Sequence, residues 1–142
     1  MLMDFGNASL LEATLQFTQT TTGIYISPEW TAPEILKGTS SYTMSGDIYS
    51  LGMTMLEAFT SQAPFPGRNN NALIIHIVVK KNIPDRPQSV IPSDSVDGDK
   101  LWAILTRCWS YEPEARPTAE TVWNEMEEIT AKNLKAINGE EL

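Results

Sequence analysis

The stretch from Thr43 to Thr60, Thr-Met-Ser-Gly-Asp-Ile-Tyr-Ser-Leu-Gly-Met-Thr-Met-Leu-Glu-Ala-Phe-Thr, decides the fold. Ile48, Leu51, Gly52, Met55, Leu56 and Phe59 recur at the i, i+3, i+4, i+7, i+8 spacing of one helix face. Tyr49, Met53 and Ala58 add apolar surface on the other sides. A helix that is apolar nearly all round belongs inside a domain. Thr43 or Ser45 suits the cap of its first turn, and Asp47 sits where the positive end of the helix dipole favours a carboxylate. The pattern predicts a central buried helix with the flanking segments packed onto it.

Upstream of that helix, Leu2 and Met3 fit the end of a short strand, and Asp4-Phe5-Gly6 follows with a glycine that permits a chain reversal. Residues 14–27 are rich in Thr, Gln and Ser and lack periodicity, the mark of a long functional or mobile loop. In Ser27-Pro28-Glu29-Trp30-Thr31-Ala32-Pro33-Glu34, Pro33 suits the first turn of a short helix that runs to Lys37, where Gly38 stops it.

Downstream, Pro64-Phe65-Pro66-Gly67 forces a turn. Asn69 or Asn70 then caps the segment Ala72–Lys80. Its run Leu73-Ile74-Ile75-His76-Ile77-Val78-Val79 reads as a strand by propensity. Leu73, Ile74, Ile77 and Val78 also fit a helix face, and with no partner strand evident the helix is the expectation. Residues 82–98, with Pro84, Pro87 and Pro92, form a loop. Asp97 or Asp99 starts a helix presenting Leu101, Trp102, Leu105, Cys108 and Trp109, which Glu112-Pro113 ends. Thr118 caps a last helix with Ala119, Val122, Met126 and Ile129 inward, and 132–142 is an acidic tail.

The 142 residues suffice for one domain with a core, and 42% apolar residues is ordinary for a globular protein. Net charge is −8, which argues against nucleic-acid binding through phosphate neutralisation. No apolar run has the length of a membrane span, and Met1-Leu2-Met3-Asp4 does not read as a signal peptide. Cys108 is the single cysteine and His76 the single histidine, so an internal disulfide, a zinc cluster and a Cys-His or Ser-His catalytic pair are not expected. A reducing, cytoplasmic compartment fits this composition.

Taken in order, Asp4-Phe5-Gly6, the Thr-rich loop, Ser27 to Glu34 with its Ala32-Pro33-Glu34, Gly46-Asp47-Ile48-Tyr49-Ser50-Leu51-Gly52 and Arg107-Cys108-Trp109-Ser110-Tyr111-Glu112-Pro113-Glu114-Ala115-Arg116-Pro117 form one colinear series. The series resembles the C-terminal lobe of eukaryotic protein kinases from the Asp-Phe-Gly motif onward, over residues 1–131. The Cys-Trp-x-x-x-Pro-x-x-Arg-Pro ending is similar to the tyrosine-kinase-like branch, and Ser27-Pro28-Glu29 to Ser/Thr-specific members. The resemblance implies a mainly α, kinase-C-lobe-like domain around a central buried helix, with an activation segment at 4–34, a helical subdomain at 35–131 and no N-lobe. It implies ATP-dependent phosphoryl transfer to a protein hydroxyl, with Mg²⁺ and ATP as cofactors and a protein substrate or docking partner.

Residue by residue, the resemblance gives Asp4 the carboxylate that holds Mg²⁺ against nucleotide phosphates. Phe5, Gly6 and Pro33 complete the motifs. Glu34 and Arg116 match residues that pair as a buried fork. Asp47 matches an Asp that accepts hydrogen bonds from the catalytic-loop backbone, and Ser27 a hydroxyl that contacts the catalytic Asp. Thr18, Thr20, Thr21 and Thr22 are candidate phosphorylation sites. Three departures bear on the loop near Ser27: Ile26 stands where the family commonly has Gly, Tyr49 where this branch often has Trp, and Gly46 where Ser is common.

The chain contains no Gly-rich phosphate loop, no Val-Ala-Ile-Lys-like strand and no His-Arg-Asp-x-x-x-x-Asn loop. Asp4 by itself does not position nucleotide, metals and acceptor hydroxyl. The expectation is a partial kinase domain, from a fragment or a truncated gene model, inactive as this isolated chain and binding neither cofactor strongly. The alternative is a non-catalytic kinase-like module that binds a protein partner around Asn69–Lys80.

Overall fold

The computed structural model describes residues 27–130. Asp4, Phe5, Gly6, Thr18, Thr20, Thr21, Thr22, Ile26 and the tail at 132–142 lie outside the described residues. Within them the protein is helical, with no strand. Its elements are α1 (Pro33–Leu36), α2 (Met44–Thr60), α3 (Asn70–Ile74), a π-helical turn (Ile75–Val79), α4 (Val96–Cys108), a 3₁₀ turn (Pro113–Ala115) and α5 (Ala119–Met126).

The long α2 is the centre. Thr43 is its N-cap, its hydroxyl oxygen accepting from the Gly46 N–H at 2.9 Å. α2 packs against α4 and the 3₁₀ turn, α4 against α5, and α1 against the π turn. The core joins Tyr49, Met53 and Leu56 to Leu73, Ile77, Ile91, Leu101, Ile104, Leu105, Cys108, Trp109 and Val122. The deepest face of α2 is therefore turned from the one its apolar spacing suggests, keeping Ile48, Gly52 and Leu56 and adding Tyr49 and Met53. Ile48, Tyr49, Gly52, Met53 and Leu56 are buried, while Leu51, Met55 and Phe59 are only partly so, and Ala58 is exposed. A helix apolar on several sides leaves its orientation to its partners, and α4 comes up against it at Gly52.

The Leu73–Val79 run is helical despite its β-branched residues, because tertiary packing outweighs propensity. Asn69 caps α3 by accepting from the Ala72 N–H at 2.8 Å. Leu73 and Ile77, four apart, go into the core, while Ile74, Ile75 and Val79 stay exposed. The inward face is thus narrower than the set Leu73, Ile74, Ile77, Val78. The turn ends with Lys81 in the left-handed region at φ 56°, closed by the Asn82 N–H to the His76 carbonyl. A residue with a Cβ pays roughly 1–2 kcal/mol for that conformation, which is why glycine usually fills it.

Two further expectations are corrected. Ser95, rather than Asp97 or Asp99, caps α4, accepting from the Gly98 N–H at 3.0 Å. Asp97 is instead buried and accepts from the Thr130 N–H at 3.2 Å. Ala119 is exposed, while Val122 and, beyond the end of α5, Ile129 turn inward. His76 is half-buried, edge-on to the Phe65 ring at 5.5 Å and bonded to Asn82. Cys108 is buried beside Trp109 as expected, and burial pushes its thiol up to about 11.

α2 and α4 approach closely at Gly52. A Cβ there would lie 2.7 Å from Trp109 Nε1 and 2.9 Å from Cys108 Cβ. Trp109 Nε1 is itself buried without an acceptor among the described residues. Two effects compete in Gly52→Ala: helix propensity gains about 1 kcal/mol, while crowding a rigid ring costs roughly 1–3 kcal/mol. The contact distances make the second larger. The urea midpoint of Gly52→Ala is expected to fall; a rise would show that the α2–α4 approach is looser than described.

Candidate functional site

The segment 27–36 reaches α2 through polar contacts that the sequence does not announce. Its first turn is closed by the Trp30 N–H and the Thr31 hydroxyl, both donating to the Ser27 carbonyl, the latter at 2.7 Å. Trp30 Nε1 donates to Glu57 at 3.1 Å, and the Ser50 hydroxyl donates to the Trp30 carbonyl at 2.7 Å. Glu57 and Ser50 both stand on α2, so the segment is fixed to the central helix at two levels. The one available signal was Ser50 and Glu57 sitting among apolar neighbours.

Pro33 opens α1 and is buried. Gly38, at φ 77°, ends it: the Gly38 N–H bonds the Ile35 carbonyl and the Thr39 N–H the Glu34 carbonyl. This Schellman-type closure fixes the single turn that carries Glu34.

Glu34 meets Arg116 across 82 positions of sequence. Nη1 donates to Oε2 at 2.9 Å and Nη2 to Oε1 at 2.8 Å, a two-bond fork. The Arg116 side chain is fully buried and that of Glu34 is 9% exposed. Arg116 also donates from Nε to the Ser110 carbonyl at 2.8 Å, from Nη1 to the Ser45 carbonyl at 2.9 Å and from Nη2 to the Tyr111 carbonyl at 3.4 Å. Its guanidinium lies 5.2 Å from the centroid of the buried Tyr49 ring, a cation–π distance. Burial pushes the Glu34 carboxyl up. The hydrogen bonds from Arg116 and from its own backbone, with the charges of Arg116 and Lys37, outweigh that, and the net value lies below the ordinary 4.5.

Of the other expected site residues, Ser27 is half-buried at the start of the described segment. Asp47 is an exposed residue in the first turn of α2 and accepts no hydrogen bond among the described residues. Partial desolvation raises its carboxyl above 3.8, as for a carboxylate short of donors. Neither Ser27 nor Asp47 joins the fork, and the described residues contain no His/Cys/Asp/Glu group able to hold a metal. A cleft of about 500 Å³ opens elsewhere, lined by Phe65, Arg68, His76, Asp85 and Arg86 among others, and none of the expected site residues reaches it.

Removing the guanidinium would leave a buried carboxylate and three carbonyls without their donor. Arg116→Ala is expected to cost roughly 3–5 kcal/mol in denaturant unfolding. Arg116→Lys should recover only part of this, since an ammonium has three donors and no fork. An unchanged midpoint in Arg116→Ala would remove the pair from the stability of the fold. The pH dependence follows from the sign of the Glu34 shift. A carboxyl whose folded value is depressed stabilises above its unfolded value and loses that contribution as pH falls through the folded one. Stability should thus decline below about pH 4.5, and Glu34→Gln should flatten this acid limb in urea titrations run at successive pH values.

The comparisons with known proteins bear on the same elements. The family model described as "Protein kinase domain" matches residues 1–126. The chain is 31% identical over 137 residues to the dual specificity protein kinase pyk3 of Dictyostelium discoideum, covering 96% of this chain and 9% of that protein. It is 31% identical over 126 residues to the dual specificity protein kinase shkA of the same organism, covering 89% and 23%. It is 37% identical over 122 residues to the putative serine/threonine-protein kinase/receptor R818 of Acanthamoeba polyphaga mimivirus, covering 85% and 6%. The chain thus spans less than a quarter of the length of each of these relatives. With a family match that takes in both Glu34 and Arg116, the chain belongs to the protein kinase domain family.

Proposed function

We propose that these 142 residues are the activation-segment and helical part of a protein kinase domain, a Ser/Thr-type phosphotransferase by descent and inactive as this chain alone. The observation that carries the reading is the buried Glu34–Arg116 fork, which ties the end of the 4–34 segment to the helical body at 35–131. Relatives named as dual-specificity, serine/threonine and tyrosine kinases fit a chain with a tyrosine-kinase-like ending and a Ser-Pro-Glu in its activation segment.

In this reading the fork, the Trp30–Glu57 bond and the Ser50–Trp30 bond hold the segment from Ser27 to Glu34 as a platform against which a protein substrate lies. Asp4 is the Mg²⁺-binding carboxylate that the family resemblance supplies. Mg²⁺ and ATP, when bound, provide the phosphoryl group and the charge neutralisation its transfer needs. Thr18, Thr20, Thr21 and Thr22 are the sites at which added phosphate charge would reorganise the segment. Asp47, raised above 3.8 and without a described donor, fits a residue whose backbone donors come from a catalytic loop. No such loop is among the 142 residues, nor is a Gly-rich loop or an anchoring lysine strand, and on that ground the chain by itself does not transfer phosphate. Among the described residues no helix is long and apolar enough to cross a membrane.

A second reading, a non-catalytic protein-binding module, draws on the exposed Ile75 and Val79 at 51% and 69%. A partner bound there without nucleotide would favour it.

The test is direct. With labelled ATP and Mg²⁺, the purified chain is expected to incorporate no phosphate into a generic protein substrate above the no-enzyme control, and to bind ATP more weakly than about 1 mM by calorimetry. Turnover at the rates usual for kinases, about 1–100 s⁻¹, would overturn the reading.

A further inference from the structure

Lys37, one residue past α1, and Lys81, at the end of the π turn, come from distant parts of the chain to the same aromatic ring. Lys37 Nζ lies 5.2 Å from the Tyr111 ring centroid and Lys81 Nζ 4.7 Å. We propose that Lys37 and Lys81, gathered around Tyr111, form a binding point for the phosphate group of a phosphorylated protein segment.

Four observations carry this. First, neither ammonium group is in an ion pair: the ion pairs among the described residues are Arg86–Asp99, Arg107–Glu125 and Glu34–Arg116, and the Lys37 charge acts on the Glu34 carboxylate only from outside that fork. In a chain of net charge −8, two lysines that approach one ring concentrate positive charge locally. An anion beside the ring is attracted by both charges.

Second, the placement is built. Lys81 holds a left-handed backbone at φ 56°, a position where glycine is the unstrained choice. Strain of this kind collects at functional positions, and here it follows a π-helical turn, another feature common at such sites. Third, the ring that both ammonium groups approach is anchored at both ends. The Tyr111 hydroxyl donates to the Val78 carbonyl at 3.0 Å, and the Tyr111 carbonyl accepts from Arg116 Nη2. The platform is therefore continuous with the buried fork. Lys37 stands three positions beyond Glu34, so the site adjoins the end of the proposed activation segment, where a protein segment would lie.

Fourth, the charge favours phosphate over carboxylate. A phosphorylated side chain carries about −1.5 to −2 at neutral pH and matches two ammonium groups, whereas a carboxylate matches one. Lysine binds phosphate as a point charge and needs no planar fork. The exposed apolar Val79 nearby in sequence gives the flanking residues of the segment a surface to lie on. The inference stands on these contacts and does not require that the chain transfer phosphate.

The test is fluorescence anisotropy with a fluorescein-labelled Ala-Gly-pSer-Gly-Ala peptide, its unphosphorylated form and its Glu form. The phosphopeptide should bind saturably and be displaced by inorganic phosphate. Both control peptides should bind at least about tenfold more weakly, and higher salt should weaken the phosphopeptide, as for an exposed charge contact. Lys37→Met together with Lys81→Met, both exposed positions, should reduce phosphopeptide affinity by a similar factor with an unchanged urea midpoint. Amide shifts in a ¹⁵N-labelled wild-type chain should move at Lys37, Lys81 and Tyr111, a reading that does not depend on the variant folding. Equal binding of the three peptides, no saturable binding up to roughly 1 mM, undiminished binding by the double variant, or shifts confined to other residues would each overturn the proposal. Inorganic phosphate that binds while the phosphopeptide does not would also overturn it, since the ligand would then be a free anion.

Discussion

Arg116 directs its N–H donors to Glu34, Ser45, Ser110 and Tyr111, all buried or partly buried, and the described fold is arranged so that this is possible. Those acceptors belong to α1, the first turn of α2 and the loop after α4. A guanidinium moved out of water is tolerated only when its charge and its donors are both met. Each acceptor must therefore be where it is, and the planar fork restricts the direction from which Glu34 enters. The stacked Tyr49 ring closes the remaining side with polarisable surface rather than water.

That constraint explains why a four-residue helix matters. α1 buries only Pro33 and Glu34 fully, too little to be stable by itself. Its conformation is imposed by the proline at its start, the left-handed Gly38 at its end and the fork in between. The segment before it has its own ties to α2 through Trp30, Glu57 and Ser50. The result is a loop-derived surface tied closely to the helical core.

The same network passes to the far side of the domain. Tyr111 receives from Arg116 through its carbonyl and gives to Val78 through its hydroxyl, so the π turn is tied to the fork by one residue. Gly52 and Trp109 play the corresponding part between α2 and α4, where the missing side chain on one helix admits the large ring of the loop that follows the other. Contact by contact, the fold links the segment from Ser27 to Glu34, its central helix and its lysine-bearing turn without a single strand among the described residues.

The sequence alone was enough for the helical class, the central place of α2, the cap Thr118 and the burial of Cys108 and Trp109, because these depend on local chemistry and on total apolar content, while it left the choice between Thr43 and Ser45 and between Asn69 and Asn70 to the structure. It also named Glu34 and Arg116, through motif resemblance rather than through any local pattern. What it did not decide was direction and partnership. An all-round apolar helix does not say that Tyr49 and Met53 go deeper than Leu51 and Met55; the position of α4 does. A β-branched run does not say that it will bend into a π turn, nor an ordinary lysine that it will adopt a left-handed backbone beside a tyrosine thirty positions away. Asp97 looked like a cap and became a buried acceptor for Thr130, since Ser95 reached the helix start first. Local propensities act over a few residues, whereas the acceptors of one buried guanidinium are set by segments that meet only once the chain has folded.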